Sequence, residues 1–502
     1  MKNNAASPNE TQAHNQKHLK QKVHAENNLK KHVLAYCVLF VTLTAVTVVR
    51  YVLIPSQYGH AGLRLIFTTI CLLAICLVYA ICTILISKRL NKFKFDSSKV
   101  MTLCFVIIFS YTISIFISAI SPFLMPTFLT AFILAPLFDR KDVFLTNLLT
   151  NTLLLTTVLL NPLIGDQYPY LYQIHIPVIM FVAGTLFGTI ITFLLVGEVR
   201  RFNYTIKGFA IALGGVVFAL LLGLLAYYVV GSNDEGTVSI LNWFLFLLAA
   251  FVSQLMFSIV LQPLLERIFN LITNSRLIDL IDHNFPLIKR LIQEAPGTFA
   301  HSQNVANFAE LCALSIGENP YMARACAHYH DIGKLENSNF FKENQADTNP
   351  HDDILPEVSA EIIKSHTKAG QHLCQEYKLP KKIAQVAAQH HGTTAIMVFL
   401  HKARELNDAN IEQENFYYDG DTPTSKIAAI IMICDAAEAA FRAAGVSTID
   451  GAKPILDGLV WDRLKSGQFD NCNITLDELT QIKQTILSII GGIYHKRLKY
   501  LN

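Results

Sequence analysis

The chain has 502 residues, enough for two or three domains. It is 52% hydrophobic and only 16% charged, short of the roughly 25% charged of soluble domains, and the deficit falls mostly in the first half. The net charge of +3 is too small to argue for a nucleic-acid polymer as partner, and the ten cysteines, without a CxxC or any paired spacing, exclude a disulfide framework.

Residues 1–32 are rich in Asn, Gln, His and Lys. They are too long and too polar for the start of a signal peptide, and they read as a disordered cytoplasmic tail.

Residues 33–265 carry long apolar runs. A helix needs about 20 mostly apolar residues to cross a bilayer, because its backbone groups must be satisfied internally. The runs predict eight spans, at about 33–53, 61–87, 100–119, 122–138, 143–163, 174–196, 208–230 and 237–263. The fourth is short and broken by Pro122, Pro126 and Pro136, so it also fits one hairpin with the third. Basic residues alternate from loop to loop. Lys30 and Lys31 precede the first span; Lys88, Arg89, Lys92, Lys94 and Lys99, then Arg140 and Lys141, then Arg200, Arg201 and Lys207 fill every second connection. The other connections, "PSQYGHA", "IGDQYPYLYQ" and "GSNDEG", hold no Lys or Arg, and only Arg50 and Arg64 near span ends blur the pattern. Positive charge marks the inner side, so both termini and everything after 265 are expected in the cytoplasm. Tyr168, Tyr170, Tyr172 and Trp243 fit interface anchors. No set of intramembrane charges marks a transport pathway, which disfavours a transporter.

Residues 266–502 read as an all-helical soluble domain with almost no strand signal. "TFAHSQNVANFAELCALSIG" predicts a helix capped by Thr298 and closed at Gly317, and "PYMARACAHYHDIGK" a second ending at Gly333. Two more lie in "LPEVSAEIIKSHTKAGQHLCQEYK" and "LPKKIAQVAAQHH". "TSKIAAIIMICDAAEAAFRAAG" predicts a buried helix stopped at Gly445, and "TLDE" at 475–478 a capping box opening the last helix.

These helices carry an ordered polar set: His301, then His330 with Asp331, then His366, then His390 with His391, then Asp435. A lone histidine on a helix is more often a surface or satisfied core residue. Asp435 is sharper, because it interrupts "IAAIIMICDAAEAA", where an unpaired carboxylate would cost several kcal/mol. Its plainer alternatives are a surface position or a nearby lysine. Taken together, five imidazoles and two carboxylates can hold two divalent ions, and mixed nitrogen and oxygen ligands suit Fe, Mn or Zn better than Ca or Mg.

The set His…His-Asp…Asp resembles the signature of the HD-domain phosphohydrolases. The segments "EAPGTFAHSQNVANFAE", "HYHDIGK", "FFKENQ", "NPHD", "QHHGT" and "HKA" further resemble the membrane-anchored HD phosphodiesterases of bacteria that hydrolyse cyclic di-AMP, and "APLFDRKDVFLTNLLTNTLL" resembles part of their transmembrane bundle. The resemblance covers about residues 100 to 500. It implies an all-α fold, a polytopic helix bundle followed by an HD domain, in the cytoplasmic membrane. It implies one metal on His301, His330, Asp331 and Asp435, and a second on Asp331, His366, His390 and His391, with manganese or iron as the ions. Asp331 would bridge, Lys334 would face the phosphate, and His328 would not be a ligand.

The implied reaction is hydrolysis of cyclic di-AMP to linear pApA. Two cations, on the order of 3.5–4 Å apart in such sites, make hydroxide from water near neutral pH and screen the phosphate charge. From spacing alone, Lys334 is equally a solvated lysine past a helix end, and Ser302 either touches a phosphate or caps a neighbour. The implied partners are the cyclic dinucleotide and the lipid bilayer, and a homodimer is left open. The chain departs from the family pattern in three places. Only "PSQYGHA" joins the first two spans, where relatives carry a large extracytoplasmic domain; "YYDGD" at 417–421 replaces an Arg-Tyr-Pro-Gly-Pro type loop; and Ile427 follows Lys426 where an acid is common. The alternatives are a nucleotide-binding membrane receptor, or an HD hydrolase of another nucleotide such as a guanosine polyphosphate.

Overall fold

The computed structural model of the chain describes residues 31–49, 61–89, 97–118, 126–159, 185–195, 206–208, 210–211, 214, 236–345, 348–406, 411–446 and 448–493. The chain divides into two compact units, Met1–Ser275 and Arg276–Asn502. No strand occurs among the described residues, and one isolated bridge joins Ala395 to Tyr417, so the all-α expectation holds. Residues 1–30 of the expected tail lie outside the described residues, as do most of the expected spans at 174–196 and 208–230.

The first unit is built from α1 (Lys31–Val49), α2 (Ala61–Arg89), α3 (Ser97–Ser118), α4 (Leu129–Leu134), α5 (Arg140–Leu159), α6 (Thr185–Leu195) and α7 (Gly236–Ile268). Among the described residues, Lys31–Val49 and Ser98–Ile117 are long and apolar enough to cross a membrane. The expected span 122–138 is corrected. Within its described part the helix is six residues, about 9 Å, too short to cross. Proline explains its C-terminal end, since Pro136 follows directly on Ala135 and has no N–H to continue the helix. Polar side chains stitch the helices together: Tyr111 to Thr47 at 2.8 Å, Tyr79 to Thr146 at 2.8 Å, and the Gln262 amide donating to the Phe132 carbonyl at 3.1 Å. A Lys99–Asp142 pair ties the first turn of α3 to the first turn of α5.

The second unit is a helical bundle. Its elements are α8 (Pro286–Glu294), α9 (Pro296–Ser315), α10 (Pro320–Tyr329), a 3-10 stretch Ile332–Phe340, α11 (Pro356–Glu376), α12 (Lys381–Gln389), α13 (Met397–Leu406), α14 (Lys426–Ala443), α15 (Ile449–Lys465) and α16 (Leu476–Ile493). α9 packs against α10, α14 and α16. α14 is apolar on nearly all sides and accordingly buried, every residue from Ile427 to Asp435 being inside.

Local rules explain most helix ends. Gly317 and Gly445 have positive φ, +72° and +61°, and stop α9 and α14. Thr475 and Glu478 form the expected capping box, each backbone N–H donating to the other's side chain, at 2.9 and 3.2 Å. Two ends differ from expectation. Thr298 does not cap α9. Pro296 opens that helix, and the Thr298 N–H donates to the Asn344 side chain at 3.1 Å, so a distant residue satisfies this terminal donor. α10 ends at Tyr329 rather than Gly333, and the chain turns at His330 and Asp331 into the 3-10 stretch.

Candidate metal centre

The structure brings all seven expected ligands together. His301 projects from α9, and His330 and Asp331 come from the turn after α10. His366 lies on α11, His390 and His391 follow the end of α12, and Asp435 lies on α14. They form two groups, His301–His330–Asp331–Asp435 and Asp331–His366–His390–His391, with ligating atoms in each within 4.8 Å of one another. Asp331 belongs to both, and its two oxygens divide the work. Oδ2 faces His330 Nε2 at 3.2 Å and His301 Nε2 at 3.6 Å, while Oδ1 faces His366 Nε2 at 3.3 Å and His390 Nε2 at 3.5 Å. Asp435 Oδ1 lies 3.0 Å from His301 Nε2, and its Oδ2 lies 3.8 Å from His391 Nδ1.

Ring orientation tests whether the set fits a cation. Four histidines have Nδ1 against an acceptor: the carbonyl of Ala327 for His330, of Ile363 for His366 and of Ala387 for His390, and the Glu438 carboxylate for His301. Each neutral ring therefore carries its proton on Nδ1 and turns a bare Nε2 inward. There the lone pairs meet other lone pairs. His366 Nε2 and His390 Nε2 are 3.3 Å apart, and the buried His330 Nε2 and Asp331 Oδ1 have no hydrogen-bond partner. His366 Nε2, His390 Nε2 and Asp331 Oδ1 converge with no donor between them and repel unless a cation lies among them, so the residues fit divalent metal.

The electrostatics agree. Burial opposes charge on Asp331 and Asp435, yet both carboxyls are held well below the usual range, Asp331 by His330 and Lys334 and Asp435 by His301 and His330. Burial also opposes charge on His330 and His301, but the carboxylates outweigh it and raise both, His330 to about 10. Protons there stand in for a cation. In the second group, burial and neighbouring imidazoles lower His390 and His391, leaving the neutral form that ligates.

The remaining expected residues sit less simply. Lys334 Nζ lies 2.7 Å from Asp331 Oδ2 and 2.7 Å from Glu343 Oε1, over the Phe341 ring, so it is not a solvated lysine. Ser302 is fully buried and its hydroxyl has no partner, so it does not cap a neighbour. His328 is buried against Phe299 and outside both ligand groups, as the resemblance implied. The glycine of "HYHDIGK" has a steric reason. A Cβ on Gly333 would lie 1.9 Å from the His366 carbonyl oxygen, so only glycine lets the Asp331 turn approach α11 this closely.

Sequence reasoning missed Glu343, Glu438 and Tyr418. Tyr418 stacks on His391, with ring centroids 4.4 Å apart. The Glu438 signal was present, a second carboxylate one turn after Asp435 in "DAAEAA". Nothing local distinguishes Glu343 from a surface acid.

Residues 298–440 match the HD domain family. The chain is 36% identical over 359 residues to the cyclic-di-AMP phosphodiesterase PgpH of Listeria monocytogenes, covering 68% of this chain and 49% of the relative. It is 36% identical over 294 residues to PgpH of Bacillus subtilis, covering 58% of this chain and 40% of the relative. The chain thus spans half or less of these relatives' length. A crystal structure of the L. monocytogenes PgpH HD domain in complex with cyclic di-AMP is 43% identical, covers 43% of this chain and all of that one, and gives a TM-score of 0.41. The chain therefore carries an HD domain and is a homologue of the cyclic-di-AMP phosphodiesterases named PgpH.

Proposed function

We propose that this chain is a membrane-embedded, metal-dependent phosphodiesterase that hydrolyses cyclic di-AMP to linear pApA. The observation that carries the reading is the division of the Asp331 carboxylate, one oxygen toward each ligand group. Manganese or iron suits the mixed imidazole and carboxylate set. Two such ions would supply an acidified water and positive charge for the phosphodiester. The chain's own residues set the geometry. Asp331 holds the two groups at one spacing, and Asp435, the four inward Nε2 atoms and His391 complete them. Lys334 is shared between Asp331 and Glu343, and its ammonium is the side-chain amine beside the bridging carboxylate that could meet a phosphate oxygen. The choice of cyclic di-AMP rests on the PgpH relatives. Residence in the cytoplasmic membrane, with both termini and the HD domain inside, rests on the alternation of basic loops, and the Lys99–Asp142 pair, which joins the first turns of α3 and α5 beside two of those basic connections, supports it.

The test is hydrolysis of cyclic di-AMP by the detergent-solubilised full chain, loaded with Mn²⁺ or Fe²⁺. Wild type should accumulate pApA. Asp435→Asn, which keeps the shape and removes the charge, should reduce the rate by orders of magnitude while the fold persists. Nucleotide bound but not consumed by metal-loaded wild type would replace the enzyme with a receptor.

A further inference from the structure

Three of the inward-facing histidines are oriented by their own helices. His330, His366 and His390 each donate Nδ1–H to the carbonyl three residues earlier. His301 is oriented from another helix. Its Nδ1 lies 2.7 Å from Oε2 of Glu438, which is 137 residues later in the chain, buried on α14. Glu438 is itself braced. Asn304, one turn after His301, donates to Glu438 Oε1 at 3.2 Å, and Arg442 Nη2 approaches Oε2 at 3.1 Å. Arg442 also comes within 3.4 Å of His301 Nδ1, but one ring nitrogen cannot donate to Glu438 and accept from Arg442. The shorter contact, to a carboxylate acceptor, places the proton on Nδ1. Glu438 follows Asp435 by three residues, so one face of α14 carries both the carboxylate beside His301 Nε2 and the carboxylate that holds its Nδ1.

We infer that Glu438 is a positioning residue for the first metal group: it fixes the Nδ1–H tautomer and the ring angle of His301, and so the affinity of that group but not of the other. The inference rests on the metal reading above. Outer carboxylates of this kind change metal affinity by roughly 10- to 100-fold when removed. His366→Ala, which disables the second group, gives a background in which the first site is read alone.

The experiment is Mn²⁺ titration of the full chain by calorimetry, with melting temperature as a fold control, in wild type and on the His366→Ala background. Glu438→Leu should weaken the first site by roughly 10- to 100-fold and leave the second unchanged. Glu438→Gln keeps an acceptor without the charge and should weaken the first site less, by about 10-fold. Wild-type affinity in both variants, or equal loss at both sites, would overturn the assignment. If Glu438→Leu does not fold, Glu438→Gln decides, and unchanged first-site affinity overturns it. Wild type that binds no Mn²⁺ would instead remove the metal reading, and the role of Glu438 with it.

Discussion

Gly333→Ala tests whether the approach of the Asp331 turn to α11 sets the spacing of the site. An added Cβ would lie 1.9 Å from the carbonyl oxygen of His366 and 2.4 Å from the amide nitrogen of Gly370. Real Cβ contacts stay at or beyond 3.0 Å, so the turn must retreat by 3.0 − 1.9 = 1.1 Å at least. Both obstacles are backbone, so no side chain can swing aside. Overpacking of this kind costs about 1–3 kcal/mol. The effect on metal should be larger, because Asp331 and His366 sit on the two elements forced apart, and metal–ligand distances tolerate only about 0.2 Å. The expected result is a folded protein, less stable to denaturant by about 1–3 kcal/mol, that has lost the site holding His366. Elemental analysis after reconstitution and urea unfolding read the two effects. Gly317→Ala is the control, since its Cβ meets open space and only the φ of +72° is strained. It should cost about 1 kcal/mol and leave metal content unchanged. Gly333→Ala that binds two ions with wild-type affinity would refute the argument.

Three further outcomes are expected. Asp331→Ala should lose both ions, because each carboxylate oxygen serves one group, whereas His366→Ala should empty mainly the second; elemental analysis showing equal loss in both variants would contradict the bridging role. Burial pushes the His328 imidazole down to about 3, so the folded protein binds fewer protons there than the unfolded chain, whose histidines titrate at about 6.5. That stability is complete above about pH 6.5 and drains away as pH falls toward the folded value, by roughly 2 kcal/mol at pH 5. His328→Phe should flatten the acid side of the stability–pH curve, and an unchanged slope would show that the imidazole is not buried neutral. A fluorescent reporter fused after Asn502 should light up in the cytoplasm, and alkaline phosphatase there should stay inactive; the reverse would overturn the alternating-loop topology.

The sequence by itself determined what local pattern can determine. Hydropathy divided the chain into an apolar half and a helical half. Gly317, Gly445 and the Thr475–Glu478 box set helix ends because capping acts within four residues. The seven candidate ligands were legible as an ordered set of histidines and aspartates recurring along successive helices and their ends, and Asp435 above all, in a run the structure buries throughout. Only the tertiary structure decided how those residues meet. It assigned each Asp331 oxygen to a different group, left the buried Ser302 hydroxyl without a neighbour to cap, tied Lys334 to Glu343, and recruited Asn344 in place of the expected cap at Thr298. It also singled out Glu438, an ordinary acid in the sequence until α14 lies against α9. The physical reason is range. Propensity, capping and periodicity act over a turn or two of chain, whereas His301 meets Asp435 and Glu438 across 134 and 137 residues, and only the packing of helices brings such pairs within hydrogen-bond distance.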